Sequence, residues 1–124
     1  ALSGSEACAR AREHAPDLVY LDMRFDRTAP SLLLGDLVAL SSRFNGDTTR
    51  ARQFQEDNQG LFILRALRES GYAGPVVLSY DFEHESRRFE ALCSRDPALS
   101  YCPDYADAGA VRAAIMRAVG RAET

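Results

Sequence analysis

The sequence predicts an α/β fold, an open parallel sheet with flanking helices, on three observations. Short runs at "LVYL" (18–21), "VVLSY" (76–80) and "ALSYC" (98–102) are apolar without alternation, as strands covered on both faces are. Amphipathic helical stretches separate them, and that alternation argues for parallel strands joined by crossovers. Each run also ends in a side chain that can do chemistry: Asp22, Ser79 and Cys102. In open α/β sheets ligands sit at the carboxyl ends of the strands, so these three ends should lie side by side on one rim.

The elements follow in order. "SGSEACARAREHAPD" places Ser3 and Glu6 at capping-box spacing, puts Ala7, Cys8 and Ala11 on one helical face, and stops at Pro16. The strand "LVYL" follows, with Asp22 at its end. Between Arg27 and Gln59 the organisation changes to two short helices. Leu33, Leu34, Leu37, Val38 and Leu40 recur at helical spacing, "NGD" signals a turn, and a more polar helix starts near Asp47 or Thr48. A helix marked by Leu61, Leu64 and Leu67 closes at Gly71, and Gly74-Pro75 precedes the second strand. A charged helix over about 83–94 comes next. The third strand ends at Pro103, and a last helix over 107–121 carries Val111, Ile115 and Val119 on one face.

At 124 residues the chain is the length of one domain, and 46% hydrophobic with 27% charged residues is an ordinary globular balance. A net charge of −3 and scattered arginines offer no basic footprint for nucleic acid or an anionic membrane. Cys8, Cys93 and Cys102 are odd in number and lack CxxC spacing, which signals neither a disulfide framework nor zinc and fits a reducing cytoplasm. No apolar run approaches the roughly 20 residues of a membrane span. The start at Ala1 rather than methionine reads as a processed, trimmed or incompletely represented product. His14 and His84 are isolated and expected to face solvent.

Three blocks, "SGSEACARAREHAPDLVYLDMR", "GLFILRALRESGYAGPVVLSY" and "YCPDYADAGAVRAAIMRAV", together resemble the receiver domain of two-component response regulators from its second helix to its fifth. The resemblance implies a flavodoxin-like receiver fold over 1–124 that lacks the first strand-helix-strand segment, with 27–59 as a helical insertion. It implies Asp22 as the phosphoacceptor and Ser79 as the hydroxyl that hydrogen-bonds the phosphoryl group. The metal set it implies is Mg²⁺ held by Asp22 and the backbone carbonyl of Arg24, with Asp26 as a substitute acid; Asp81 and Asp104 are further local candidates. A sensor kinase or phosphotransfer protein would be the partner, and the chain would be a regulatory module, not an enzyme.

The departures set up two rivals. Cys102 stands where the family has a lysine, and a thiol does not replace that charge. Leu99 occupies the place of the family's switching aromatic, with Tyr101 nearby, and bulky Tyr80 follows the hydroxyl residue. The family's acidic pair has no counterpart. One rival is therefore a phosphorylation-independent pseudo-receiver serving as an interaction or dimerisation module, with the Leu-rich insertion as a dimer element. The other is an aspartate-nucleophile phosphatase, which wants a second acid two residues after Asp22, where this chain has Arg24.

Overall fold

The structure is a computed structural model that describes residues 3–123, with side chains through Arg121. Ala1, Leu2 and Thr124, the ends of the expected domain, lie outside the described residues. The described residues form an α/β architecture of six α-helices and an open sheet of three parallel strands, in two compact units. One unit takes Ala1–Ala15 and Met23–Tyr72; the other takes Pro16–Asp22 and Ala73–Thr124.

The sheet belongs to the second unit. Its strands are β1 (Val19–Asp22), β2 (Val76–Ser79) and β3 (Leu99–Cys102), in the order β1-β2-β3, parallel throughout. Val76, Val77 and Leu78 of the middle strand are wholly buried, which is why that run is apolar on both faces. Val19 donates its N–H to the Pro75 carbonyl (3.0 Å) and Tyr80 donates to the Cys102 carbonyl (3.0 Å), so the ladder extends beyond both strand ends.

Two helices complete this unit. Helix α5 (Ser86–Arg95) starts three residues later than the charge pattern predicts, because Asp81 accepts the Glu83 N–H (3.0 Å) and turns the chain first. Helix α6 (Ala108–Glu123) is capped by Asp107, which accepts the Ala110 N–H (2.9 Å). Its packed seam is Ala114 and Ala118 against Val77 and Cys102, while Ile115 and Val119 are only half-buried. The expected Val111-Ile115-Val119 face is thus rotated by one residue; small side chains bring the helix close to the sheet.

The first unit is helical. Ser3 caps α1 (Gly4–Glu13) by accepting the Glu6 N–H (3.2 Å), as its spacing predicts. A Cβ at Gly4 would come within 2.6 Å of Leu34 and 2.7 Å of Ile63, so only glycine fits there. The 27–59 stretch holds a 3₁₀ turn at Pro30–Leu32 and two helices, α2 (Leu37–Arg43) and α3 (Thr48–Asp57), capped by Asp36 and Asp47. Leu33 and Leu34, expected within the first of these helices, precede it, because Gly35 at φ +107° turns the chain before the Asp36 cap. Helix α4 (Gln59–Glu69) ends before Gly71, which adopts φ +102°.

Two glutamines on the helical face of α3 and α4 organise this unit. Gln59 is 1% exposed; its Oε1 accepts the Leu34 N–H (2.7 Å), while its Nε2 donates to the Leu34 carbonyl (3.0 Å). Gln55 donates to the carbonyls of Leu34 (3.1 Å) and Gly35 (3.2 Å). The loop before α2 therefore has its peptide groups satisfied by side chains where no strand or helix does so. Met23 and Phe25, just after β1, are tied to the same region: the Met23 carbonyl accepts the Gly60 N–H, and the Phe25 N–H donates to the Glu56 carbonyl, each at 2.9 Å.

Among the described residues, only Gln59 partners the Leu34 N–H, whereas the Leu34 carbonyl has both glutamines. Gln59→Ala should therefore destabilise the chain by about 1–3 kcal/mol, the cost of a buried polar group left unpaired, and Gln55→Ala by less. Urea denaturation of both variants checks the ranking; equal losses would contradict it.

Candidate functional site at the carboxyl edge of the sheet

Parallel register places Asp22 opposite Ser79 and Ser79 opposite Cys102. The three residues are consequently abreast on one face of the sheet, at the carboxyl ends of co-directional strands. Asp22 is exposed, Ser79 half-buried and Cys102 only 3% exposed. Cys102 packs in the small core that α6 closes, together with Val77, Ala114 and Ala118. It is a small buried hydrophobe, as are most such thiols.

Tyr20 is the residue that sequence reasoning missed. It lies two positions before Asp22, hence on the same face, and packs against the Val77 and Cys102 cluster. The Ser79 hydroxyl and the Cys102 thiol are the neighbouring polar groups that act on its phenol. Burial above all pushes the phenol's pKa up, Cys102 and the Asp22 charge push the same way, and the Ser79 hydrogen bond works against them. Tyr20 thus stays a neutral phenol at physiological pH, on the same face as the hydroxyl that the resemblance assigns to a phosphoryl group. The signal was the period of two along the strand, which pairs residue 20 with residue 22.

The opposite face at this edge is aromatic. Tyr101 meets Phe82 (ring centroids 5.2 Å apart) and Phe89 (4.8 Å), and Phe82 in turn meets Tyr80 (4.7 Å) and Phe89 (5.0 Å). Such edge-on and tilted pairs are the favoured ring geometries. Phe82 is 1% exposed. Tyr101 is therefore held in a packed cluster, and Leu99, at the place of the family's aromatic, is buried beside it in the strand. Tyr80 donates its hydroxyl proton to Glu85, and Arg88 donates to the same carboxylate (3.0 Å) while standing over the Tyr80 ring.

The other predicted residues distribute as follows. Arg24 and Asp26 are exposed and belong to the first unit, whereas Asp22 belongs to the second. Asp81 caps its own turn, and the charges of Asp81 foremost, then burial, Glu83 and Asp104, raise the pKa of exposed Tyr105. Among the described residues no group of three or more His, Cys, Asp and Glu side chains is placed to hold a metal ion. The side chains that share the face with Asp22 are a hydroxyl, a phenol and a thiol, which do not supply the charged oxygen shell that Mg²⁺ takes. All fifteen basic residues of the chain are arginine, so the lysine of the resembled site has no substitute of its own kind. His14 and His84 are exposed, and all three cysteines are free.

In comparisons with known proteins, no family model, no curated protein and no solved structure matches the chain. Among the described residues, no helix is long and apolar enough to cross a membrane.

The Glu85 carboxyl sits below its ordinary pKa, first because Tyr80 donates to it; burial opposes this, and the hydrogen bond and charge of Arg88 lower it further. A depressed carboxylate stabilises the fold above its unfolded-state pKa and loses that contribution as pH falls through the folded value. Thermal denaturation should show Glu85→Gln less stable than the parent at neutral pH, with the gap closing in acid. A gap independent of pH would contradict the ionised contact.

Proposed function

We propose that the chain is a receiver-like regulatory module of signal transduction that works by binding protein partners, without phosphotransfer. The observation that carries this reading is the row Asp22, Ser79, Cys102 at the ends of three parallel strands, with the Tyr20 ring packed on the same face. That row is the arrangement the receiver resemblance leads one to expect. Phosphoryl transfer to a carboxylate, however, needs cationic charge aimed at the transferring oxygens. Here the side chains that share the face with Asp22 are a hydroxyl, a phenol and a thiol, and Cys102 stands in place of a cation.

A second reading keeps phosphotransfer from a sensor kinase or phosphotransfer protein, with Asp22 as acceptor. The exposure of the Asp22 carboxylate beside a hydroxyl favours it. A phosphatase is disfavoured by Arg24 at the position where such enzymes carry a second acid. Nucleic acid and membrane are not among the partners that a net charge of −3 favours.

Incubation with acetyl phosphate and Mg²⁺, followed by intact mass measurement, tests the proposal. The first reading expects an unchanged mass. A gain of about 80 Da that disappears in Asp22→Asn would overturn it in favour of the second. Hydrolysis of a generic phosphomonoester that Asp22→Asn abolishes would revive the enzyme reading.

A further inference from the structure

The helical unit carries an open groove of about 470 Å³ between α2 and α4. Its floor is apolar, made by Leu34, Leu40, Phe62 and Ala66, and Gly35 brings the chain against the Phe62 ring, where an added Cβ would stand at 2.9 Å. Its rim is charged: Asp36 and Arg43 on α2, Arg65 and Glu69 on α4. All four are exposed. Asp36 caps α2, Arg43 stands 5.4 Å over the Phe54 ring, and Arg65 pairs with Glu69 at 3.0 Å.

We infer that this groove is a homodimer surface, with α2 lying antiparallel to α2 of a second copy across a two-fold axis. The charge pattern argues for a copy over a foreign partner. Asp36 and Arg43 stand at opposite ends of α2, seven positions and so roughly 10 Å apart, on the face that lines the groove. Turned end for end, each Asp36 meets the other copy's Arg43, twice by symmetry, as an isologous contact requires. Arg65 and Glu69 stand one turn apart on α4 and complement a reversed copy in the same way. The rim balances two acids against two arginines, so the net charge of −3 on the chain does not set two copies against each other here. A partner selected by charge would instead face a rim of one sign. The inference is independent of the proposed function, since it involves neither the sheet nor Asp22.

Sedimentation velocity over a concentration series, on the chain as it is, tests this inference by charge exchange. The parent should dimerise, and Arg43→Glu alone and Asp36→Arg alone should each weaken the dimer by about tenfold or more, because each sets like charges against each other twice. Mixing the two variants should restore association, as a heterodimer with both ion pairs re-formed. Asp36 also caps a helix, so the exchange is repeated with Arg65→Glu and Glu69→Arg, which touch no cap. A parent that stays monomeric to about 1 mM overturns the inference, as does a dimer insensitive to these variants, or a mixture no better associated than either variant alone.

Discussion

Parallel pairing without slip between β1, β2 and β3 is the constraint on which the candidate site depends. Side chains alternate along a strand, so a shift of one residue would send Asp22 to the face opposite Ser79 and Cys102. The register is fixed by burial: Val76, Val77 and Leu78 are covered on both faces, and neither face of the middle strand could present a polar side chain earlier than Ser79. Chemistry-bearing residues are then confined to the carboxyl ends, where the strands leave the core. Asp22 sits at such an end because an exposed carboxylate is tolerated there and nowhere else along "LVYLD".

The same pairing explains the role of Tyr20. Its ring can bury in the α6 core only if its hydroxyl finds partners, and the neighbouring strands offer a hydroxyl and a thiol at the right level. The phenol, the hydroxyl and the thiol thus share one face with a carboxylate left to solvent. On the other face the rings of Tyr80, Phe82, Phe89 and Tyr101 form a second packed block, fastened by Glu85 and Arg88. Both faces of the edge are therefore packed by the chain's own side chains, with Asp22 alone of the row exposed.

Much of this was legible in the sequence because burial and periodicity speak directly to each other. The three strands, their order along the chain, the Ser3 cap, the Asp47 start of α3 and the Gly71 stop each follow from local patterns with few alternatives. The rotated seam of α6 was not legible: alanine counts as weakly apolar in any pattern, yet at Ala114 and Ala118 its small size is what allows close approach. The clamp by Gln55 and Gln59 was hidden for the opposite reason, since two polar residues at i, i+4 look like a solvated face until the loop they hold is seen. Partition of Asp22, Arg24 and Asp26 between two units likewise depends on where the chain leaves the sheet, a tertiary fact with no local signature.

Scalar couplings across hydrogen bonds, measured by NMR on isotopically labelled protein, address the strand register most directly. The account predicts couplings from the Val19 amide to the Pro75 carbonyl, from Val76 to Ala98 and from Tyr80 to Cys102. An antiparallel pattern, or the same pattern displaced by one residue, would contradict it and dissolve the row formed by Asp22, Ser79 and Cys102.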